Sequence, residues 1–399
     1  MAQAMTTDHS RAQADAAHTH GGGTHPESSR ADRASSFALA DFPLPNGREE
    51  EWRFSPVQRL QRLFAGELTG TGPRVEVSAA PGVGVEIVDH HDSRLGVAGA
   101  PGDRIAAAAW EGFREATVVT VPANHVAETE TTIALRGASS REDVSPSAAH
   151  VTVIAETFSE AVVVLDHTGG AELAQTVEIV VHDGAKLTLV SVQDWDAGAV
   201  HVASHRASVG RDASLKHIVV TLGGDVVRLT PDAAFTGTGG NVEMLGLYYA
   251  DAGQHQEHRL FVDHAQPHCT SRVTYKGALQ GDGARSVWVG DVLIRKEAEG
   301  TDTYELNRNL VLTDGARADS VPNLEIETGE IEGAGHASAT GRFDDEQLFY
   351  LKSRGIPEAT ARRLVVRGFF AELIQQIGVP SIEERLIAAI EVELSHTGE

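Results

Sequence analysis

From about Ala116 to Ile331 the apolar residues come in short runs rather than at helical spacing. ATVVTVP, TTIALRG, HVTVIA, AVVVLDH, TVEIVVHDGAKLTLVSV, SLKHIVVTL, NVEMLGLYY and SVWVGDVLI are rich in β-branched residues and bounded by turn formers, the pattern of strands. Asp183-Gly184, Asp212-Ala213, Asp282-Gly283 and Asp314-Gly315 punctuate these runs. Several of the gaps are roughly 30 residues, the range of repeat architectures. No helical pattern intervenes, so the strands are not joined by helical crossovers. Coils of a parallel β-helix fit this texture, and a twisted β-sandwich fits the periodicity as well.

The flanks have other patterns. Residues 1–35 are Ala, Ser, Thr, Gly and His with almost no large apolar side chain, which predicts a disordered tail. His18, His20 and His25 lie in it, but a floppy tail offers a metal no fixed geometry. Over Arg48–Phe64, Leu60, Leu63 and Phe64 recur at helical spacing. Residues 65–110 mix Gly/Pro punctuation with short apolar runs and support no assignment. Near the other end, Leu324, Ile326 and Thr328 alternate with Glu325 and Glu327 as in a strand with one dry face. Gly333, Gly335 and Gly341 then surround His336 in what reads as a specially shaped loop. Beyond it the chain is helical. One helix is expected over residues 344–352. A second over 357–376 carries an apolar stripe of Leu364, Val365, Phe369, Leu373 and Ile377. A third opens on a Ser381/Glu384 capping box and runs through Leu394. The expected organisation is a tail (1–35), an N-terminal mixed segment (36–115), a β core (116–341) and a helical domain (342–399).

Composition excludes several functions. At 399 residues the chain exceeds the usual single-domain length. A formal net charge of -24 opposes binding to nucleic acid. No apolar run is long enough to span a bilayer, and the N-terminus lacks a basic region followed by an apolar one, so a cytoplasmic location is expected. A single cysteine, Cys269, rules out an internal disulfide framework and a self-contained four-thiolate cage for a metal cluster. No GxxxxGK[ST], GxSxG or HExxH pattern occurs, so neither ATP binding nor hydrolytic chemistry is expected of this chain. The carboxylates of Glu49–Glu51 and Asp344-Asp345 read as helix-start charges and a solvated face.

His255, His258, His264, His268 and Cys269 have the ligand types of a zinc or iron site. If 257–264 is a strand, however, His258 and His264 share a face but lie roughly 20 Å apart at about 3.3 Å per residue. Histidines lining a face or corner of the β core are the better expectation. Cys269 reads as buried and is a weak metal candidate. His336 reads either as a ligand on its loop or as a hydrogen-bonding brace of the strand-to-helix turn.

The run NRNLVLTDGARADSVPNLEI, the His336 segment and EQLFYLKSRGI resemble the C-terminal signature of the SufB/SufD family of iron–sulfur cluster assembly. The stretch from Pro43 through Gly47 to EEWRFSP resembles the Trp-containing motif near the start of SufD chains. After Tyr304 the chain has Glu305–Asn309 where SufB carries a Cys-Asp pair, so it is more similar to SufD, with a SufB-like paralogue as the alternative. The resemblance implies a right-handed parallel β-helix core and decides against the sandwich. It also implies a non-enzymatic scaffold that pairs with SufB through the β-helix cores and holds the ATPase SufC through C-terminal helices. Candidate SufC contacts are Phe349, Tyr350, Arg354, Phe369 and Phe370. It assigns His336 as a transient metal ligand at the SufB junction, where a nascent iron–sulfur cluster would form without being stably bound. Ala334 stands where some relatives have a cysteine, so thiolates would come from SufB or Cys269. A homodimer is the expected assembly of the isolated chain. The segment 320–331 would lie at an open end of the β-helix, ready for edge pairing or for a helical cap. A β-helix enzyme acting on acidic polysaccharide is the other reading, but it would call for export and a basic groove.

Overall fold

The short apolar runs become strands that coil rather than fold back. In the computed structural model, residue 32 and residues 34–343 and 345–395 are described. The expectations of a disordered tail, of its histidines and of a helix start at Asp344 fall on residues outside these. In chain order the strands are β1 (Arg74–Ser78), β2 (Gly84–Asp89), β3 (Glu115–Val121), β4 (Thr131–Arg136), β5 (Pro146–Ala155) and β6 (Glu160–Gly169). They continue as β7 (Glu172–Val181), β8 (Lys186–Trp195), β9 (Val200–Val209), β10 (Ser214–Thr221), β11 (Val226–Phe235) and β12 (Asn241–Ala250). The last are β13 (His255–His264), β14 (Thr270–Leu279), β15 (Arg285–Ile294), β16 (Asp302–Val311), β17 (Arg317–Ile326) and β18 (Gly333–Arg342). Even-numbered strands from β4 to β18, with β1 at the edge, form one sheet. Odd-numbered strands from β3 to β17, with β2 at the edge, form the other. From β3 and β4 onward every pairing is parallel, while β1 and β2 return antiparallel on β4 and β3. Glu160 pairs with Lys186, Lys186 with Ser214 and Ser214 with Asn241, so each coil takes roughly 30 residues. The result is a mainly β parallel solenoid of about seven turns, with helices at both ends of the chain.

The Asp-Gly and Asp-Ala punctuation has a backbone cause. Phe158, Gly184, Asp212, Gly239, His268 and Gly300 take the left-handed conformation at one corner of successive coils. There each N–H donates to a carbonyl one coil on: Gly184 to Arg211 (2.8 Å), Asp212 to Thr238 (3.0 Å) and His268 to Glu299 (2.7 Å). Gly and Asp adopt this conformation at little or modest cost, which is why they recur there.

Both outer faces are covered, by different means. The helices are α1 (Gln61–Phe64), α2 (Arg104–Gly112), α3 (Asp345–Ser353), α4 (Glu358–Ile377) and α5 (Pro380–Ser395). Val366, Phe370, Leu373 and Ile377 of α4 and Leu386 and Ile390 of α5 pack on Val190, Val192, Val220 and Leu245 of the even sheet. Ser381 lies within α5 and donates to Glu130 (2.7 Å), so its hydroxyl serves the dock on the solenoid rather than a capping box. No described helix is long and apolar enough to cross a membrane.

The odd sheet is covered by the segment that sequence left unassigned and by the EEWRFSP motif. Trp52, Leu63, Phe64, Ile105 and Ala109 pack on Ala174, Val202 and Val226. Helix α2 starts where Asp103 accepts a bond from the Ala106 N–H (2.9 Å), a local N-cap. Beside Trp52 lies a buried charge cluster. The Arg228 guanidinium is fully buried, stacks on the Trp52 ring (4.0 Å) and pairs with Glu51, Asp103 (3.3 Å) and Glu257 (3.3 Å). Ser55 donates to Glu257 (2.8 Å), and Arg259 donates to the Glu50 carbonyl (3.1 Å). The expectation that Glu49–Glu51 form a solvated face is therefore corrected. Glu51 joins the buried cluster, Glu49 accepts from the Asn46 and Gly47 N–H groups, and only Glu50 presents its carboxylate to an exposed Arg53.

Candidate functional site

Alternation along the strands decides which side chains enter the solenoid. In β16 the inward set is Thr303, Glu305, Asn307 and Asn309, paired in register with Ala334, His336, Ser338 and Thr340 of β18. Opposite them, Ser286, Trp288, Gly290 and Val292 of β15 pair with Ala318, Ser320, Pro322 and Leu324 of β17. β17 and β18 are the edge strands of the two sheets, so these residues form the mouth of the solenoid at its last coil.

His336 is exposed and lies on β18, not on a loop. Its strand is small-residue chain, Gly-Ala-Gly-His-Ala-Ser-Ala-Thr, whose extended form is imposed by ten consecutive pairings with β16. The glycines therefore mark a strand of low intrinsic propensity and not a shaped loop. The floor of the mouth is hydrogen-bonded. Asn307 Nδ2 donates to Tyr248 Oη (3.0 Å), Tyr248 Oη to Asn309 Oδ1 (2.5 Å), and Asn309 Nδ2 to Asn307 Oδ1 (2.8 Å) and Thr340 Oγ1 (3.4 Å).

Glu305 stands apart from this order. It is 1% exposed, and neither carboxylate oxygen has a hydrogen-bond partner among the described residues. Burial, with Asp291 nearby, pushes its carboxyl up to about 8. Room for it comes from Gly290, where an added Cβ would lie 2.7 Å from Glu305 Oε1 and 2.4 Å from the Trp288 ring. The inward parity of β16 is the signal that would have found this residue, but using it requires knowing the register.

The five residues weighed as a metal cluster are not brought together. His255 lies 3.1 Å from Glu257 on the outer face of β13. Against the cost of burial, it helps Arg228 and Arg259 hold Glu257 down at about 2. His258 and His264 point inward: His258 Nε2 meets Thr221 Oγ1 (3.0 Å) with its ring stacked on Tyr248, and His264 Nε2 meets Ser271 Oγ (2.9 Å). His268 is a corner residue. Cys269 is buried against the Gly237 and Pro267 carbonyls, and burial pushes its thiol up. It sits just before β14, two coils below the one that carries His336. Among the described residues no group of three or more His, Cys, Asp or Glu side chains is arranged to hold a metal.

The solenoid interior carries further histidines that sequence reasoning passed over. His167 and His201 both meet Gln175 Oε1 (3.0 and 2.9 Å), and His205 Nδ1 lies 2.9 Å from His217 Nε2. Burial lowers the pKa of all four, to about 4 for His217, so they are neutral structural groups.

The helical candidates divide by exposure. Phe349 is 74% and Tyr350 57% exposed, and the exposed Arg354 lies over the Tyr350 ring (5.2 Å). Phe370 is fully buried under α4, and half-buried Phe369 packs edge-on to it (5.1 Å). Phe370 is thus corrected from a contact residue to a core residue, because its side of α4 is the side that docks on the solenoid.

The family model for the SUF system FeS cluster assembly, SufBD core domain, matches residues 136–369, from the last residue of β4 into α4. The chain belongs to the SufBD family. It is similar to an iron–sulfur cluster assembly SufBD family protein of Mycobacterium tuberculosis, at 56% identity over 91% of this chain and 92% of that protein. A relative of the same description in Mycobacterium leprae is 55% identical over 91% of this chain and 94% of its own length. A second SufBD family protein of M. leprae is 28% identical over 50% of this chain and 23% of its length. The SufBD match covers the parallel coils from β5 onward, the mouth and most of α4, and so places the chain in iron–sulfur cluster assembly.

Proposed function

We propose that this chain is a non-catalytic, SufD-like scaffold subunit of the cytoplasm. It pairs through the open end of its solenoid with a SufB-like subunit and through its C-terminal helices with the ATPase SufC. A nascent cluster is built at the solenoid junction, with His336 as a transient iron ligand and thiolates supplied by the SufB-like chain. The observation that carries this reading is the last coil. Two ten-residue edge strands end the sheets, and the inward positions of β18 are small and polar around an exposed histidine. Edge strands of that length normally pair with something. Phe349, Tyr350 and Arg354 supply an exposed aromatic and cationic surface for SufC, and the sequence has no phosphate-binding loop of its own. M. leprae has one SufBD family protein 55% and another 28% identical to this chain, so a second, divergent member of the family occurs alongside such a chain and is a candidate for the pairing.

The test is co-expression with the organism's SufB-like and SufC-like proteins, native mass analysis and anaerobic cluster reconstitution, for wild type and His336→Ala. The expected result is an intact complex in both, with cluster yield lost in the variant. A variant that fails to assemble makes His336 structural, and a wild-type chain that ignores both partners ends the scaffold reading.

A further inference from the structure

Glu305 lies one strand inward from the mouth, buried, with two carboxylate oxygens that no described group satisfies. An orphan buried carboxyl costs stability unless something pairs with it. Three observations say what would. Glu305 is register-paired with His336, so the two side chains stand on the same face of adjacent strands. Neighbouring strands lie about 4.8 Å apart, and a cation held at roughly 2.1 Å from an oxygen and from a nitrogen fits between such groups. No hydrogen bond or ion pair joins the two residues, so neither is taken up by the other. Asn307 and Ser338, the next inward pair, add oxygen donors beside them.

We propose that Glu305 and His336 are the two ligands this chain contributes to a binding site for a divalent first-row transition metal. Water completes the coordination in the isolated chain, and the subunit that covers the end completes it in the assembly. A carboxylate and an imidazole suit Fe(II), Mn(II), Co(II) or Zn(II) rather than Cu(I), which prefers thiolates and thioethers. Gly290 makes the site by leaving the space that the carboxyl occupies beside Trp288. The proposal deepens the scaffold reading and rests on it for the covering subunit and for taking the metal in the cell to be iron; binding by the isolated chain does not depend on it.

The experiment is an anaerobic titration of the full chain with Co(II), read by visible absorption. His9, His18, His20 and His25 are changed to alanine throughout so that tail histidines do not bind the probe. Glu305→Gln, Glu305→Leu and His336→Ala are compared with that parent, and metal-free thermal melts are recorded for each. The parent is expected to bind a single Co(II), with each substitution weakening binding about tenfold or more. The metal-free Glu305→Leu chain is expected to melt at or above the parent, because an unpaired buried carboxyl has been removed. Binding by Glu305→Gln equal to the parent overturns the site, and so does a Glu305→Leu chain that melts well below the parent. Outcomes for the two proposals separate cleanly. If Co(II) ignores Glu305 while the three-protein complex still builds clusters, only the metal site is wrong. If Co(II) follows both residues but no complex forms, only the scaffold reading is wrong.

Discussion

The first and last turns of the solenoid are finished in opposite ways. At the start, β1 and β2 are five and six residues long, run back antiparallel, and turn Val75, Val77 and Val85 onto the core. At the finish, β17 and β18 are ten residues each, continue parallel, and offer the interior Ala318, Ser320, Pro322 and Leu324 from one and Ala334, His336, Ser338 and Thr340 from the other. Short, reversed, apolar strands blunt an edge and seal a core. Long, parallel strands with mainly small or polar inward residues leave the edge open, even though Leu324 and Ala334 pack on the core. The same chain therefore contains the means of closing a solenoid and does not use it at the end that bears His336.

The contrast can be broken or sharpened in several ways, the most drastic being acid. The sealed body is packed with neutral histidines, whereas the mouth has only the exposed His336. Burial holds His217 and His264 down to about 4 and His258 to about 3. The unfolded chain therefore takes up protons first as pH falls below the free histidine value of about 6.5. Their stabilising contribution is complete above that pH and is lost progressively on the way down to those values. These three alone give a loss of roughly 4 kcal/mol per pH unit between about pH 6 and 4.5. Denaturant unfolding at pH 7.5, 6.0 and 5.0 measures it, and a flat profile refutes it.

Next in size is the clasp over the odd sheet. Arg228→Leu leaves Glu51, Asp103 and Glu257 without their shared cation and should cost about 3–5 kcal/mol by urea denaturation. A direct comparison of the two ends follows. Val77→Asp should cost about 2–3 kcal/mol, since it puts a charge where the first turn seals the core. Ser338→Asp should stay within about 0.5 kcal/mol of wild type while abolishing capture of the SufB-like partner. Equal costs at both ends would erase the contrast. The smallest effect on stability is expected for Phe349→Ser, within about 0.5 kcal/mol, with loss of SufC binding in a pull-down as its signature.

How much of this was legible depended on whether a residue's partner is near in sequence. The body of the solenoid was readable because β-branched runs and left-handed corners are local signals. Strands β1 and β2 were not, because they are short and half-exposed, and their apolar residues gain meaning only against β3 and β4. Strand β18 was misread as a loop for a related reason: its small residues take their conformation from β16. Glu51 looked like a surface charge because its cation, Arg228, is far away in sequence and meets it only across the folded sheet. His336 stood out from the glycines around it, and resemblance gave it a role. Glu305 was named only as the residue after Tyr304 and had no reason to stand out until register placed it inside and left it without a hydrogen-bond partner among the described residues.

The direction of the inter-coil hydrogen bonds gives the solenoid a mechanical grain. Strand ladders and the corner ladder alike join one coil to the next, so tension along the axis is borne by a single seam at a time. The C-terminal helices act as a splint across many seams. Arg385 of α5 grips Asp166 and Asp194 on β6 and β8, and Phe369 and Glu372 of α4 hold Lys276 on β14. None of these bonds reaches β17 or β18. The apolar dock of the same helices extends to Leu310 of β16 and to Phe343 just past β18, where Arg362 of α4 lies over the ring (4.8 Å). A load applied through the helices thus moves the coils from β6 to β16 as one stiff rod and enters the last coil at the C-terminal end of β18.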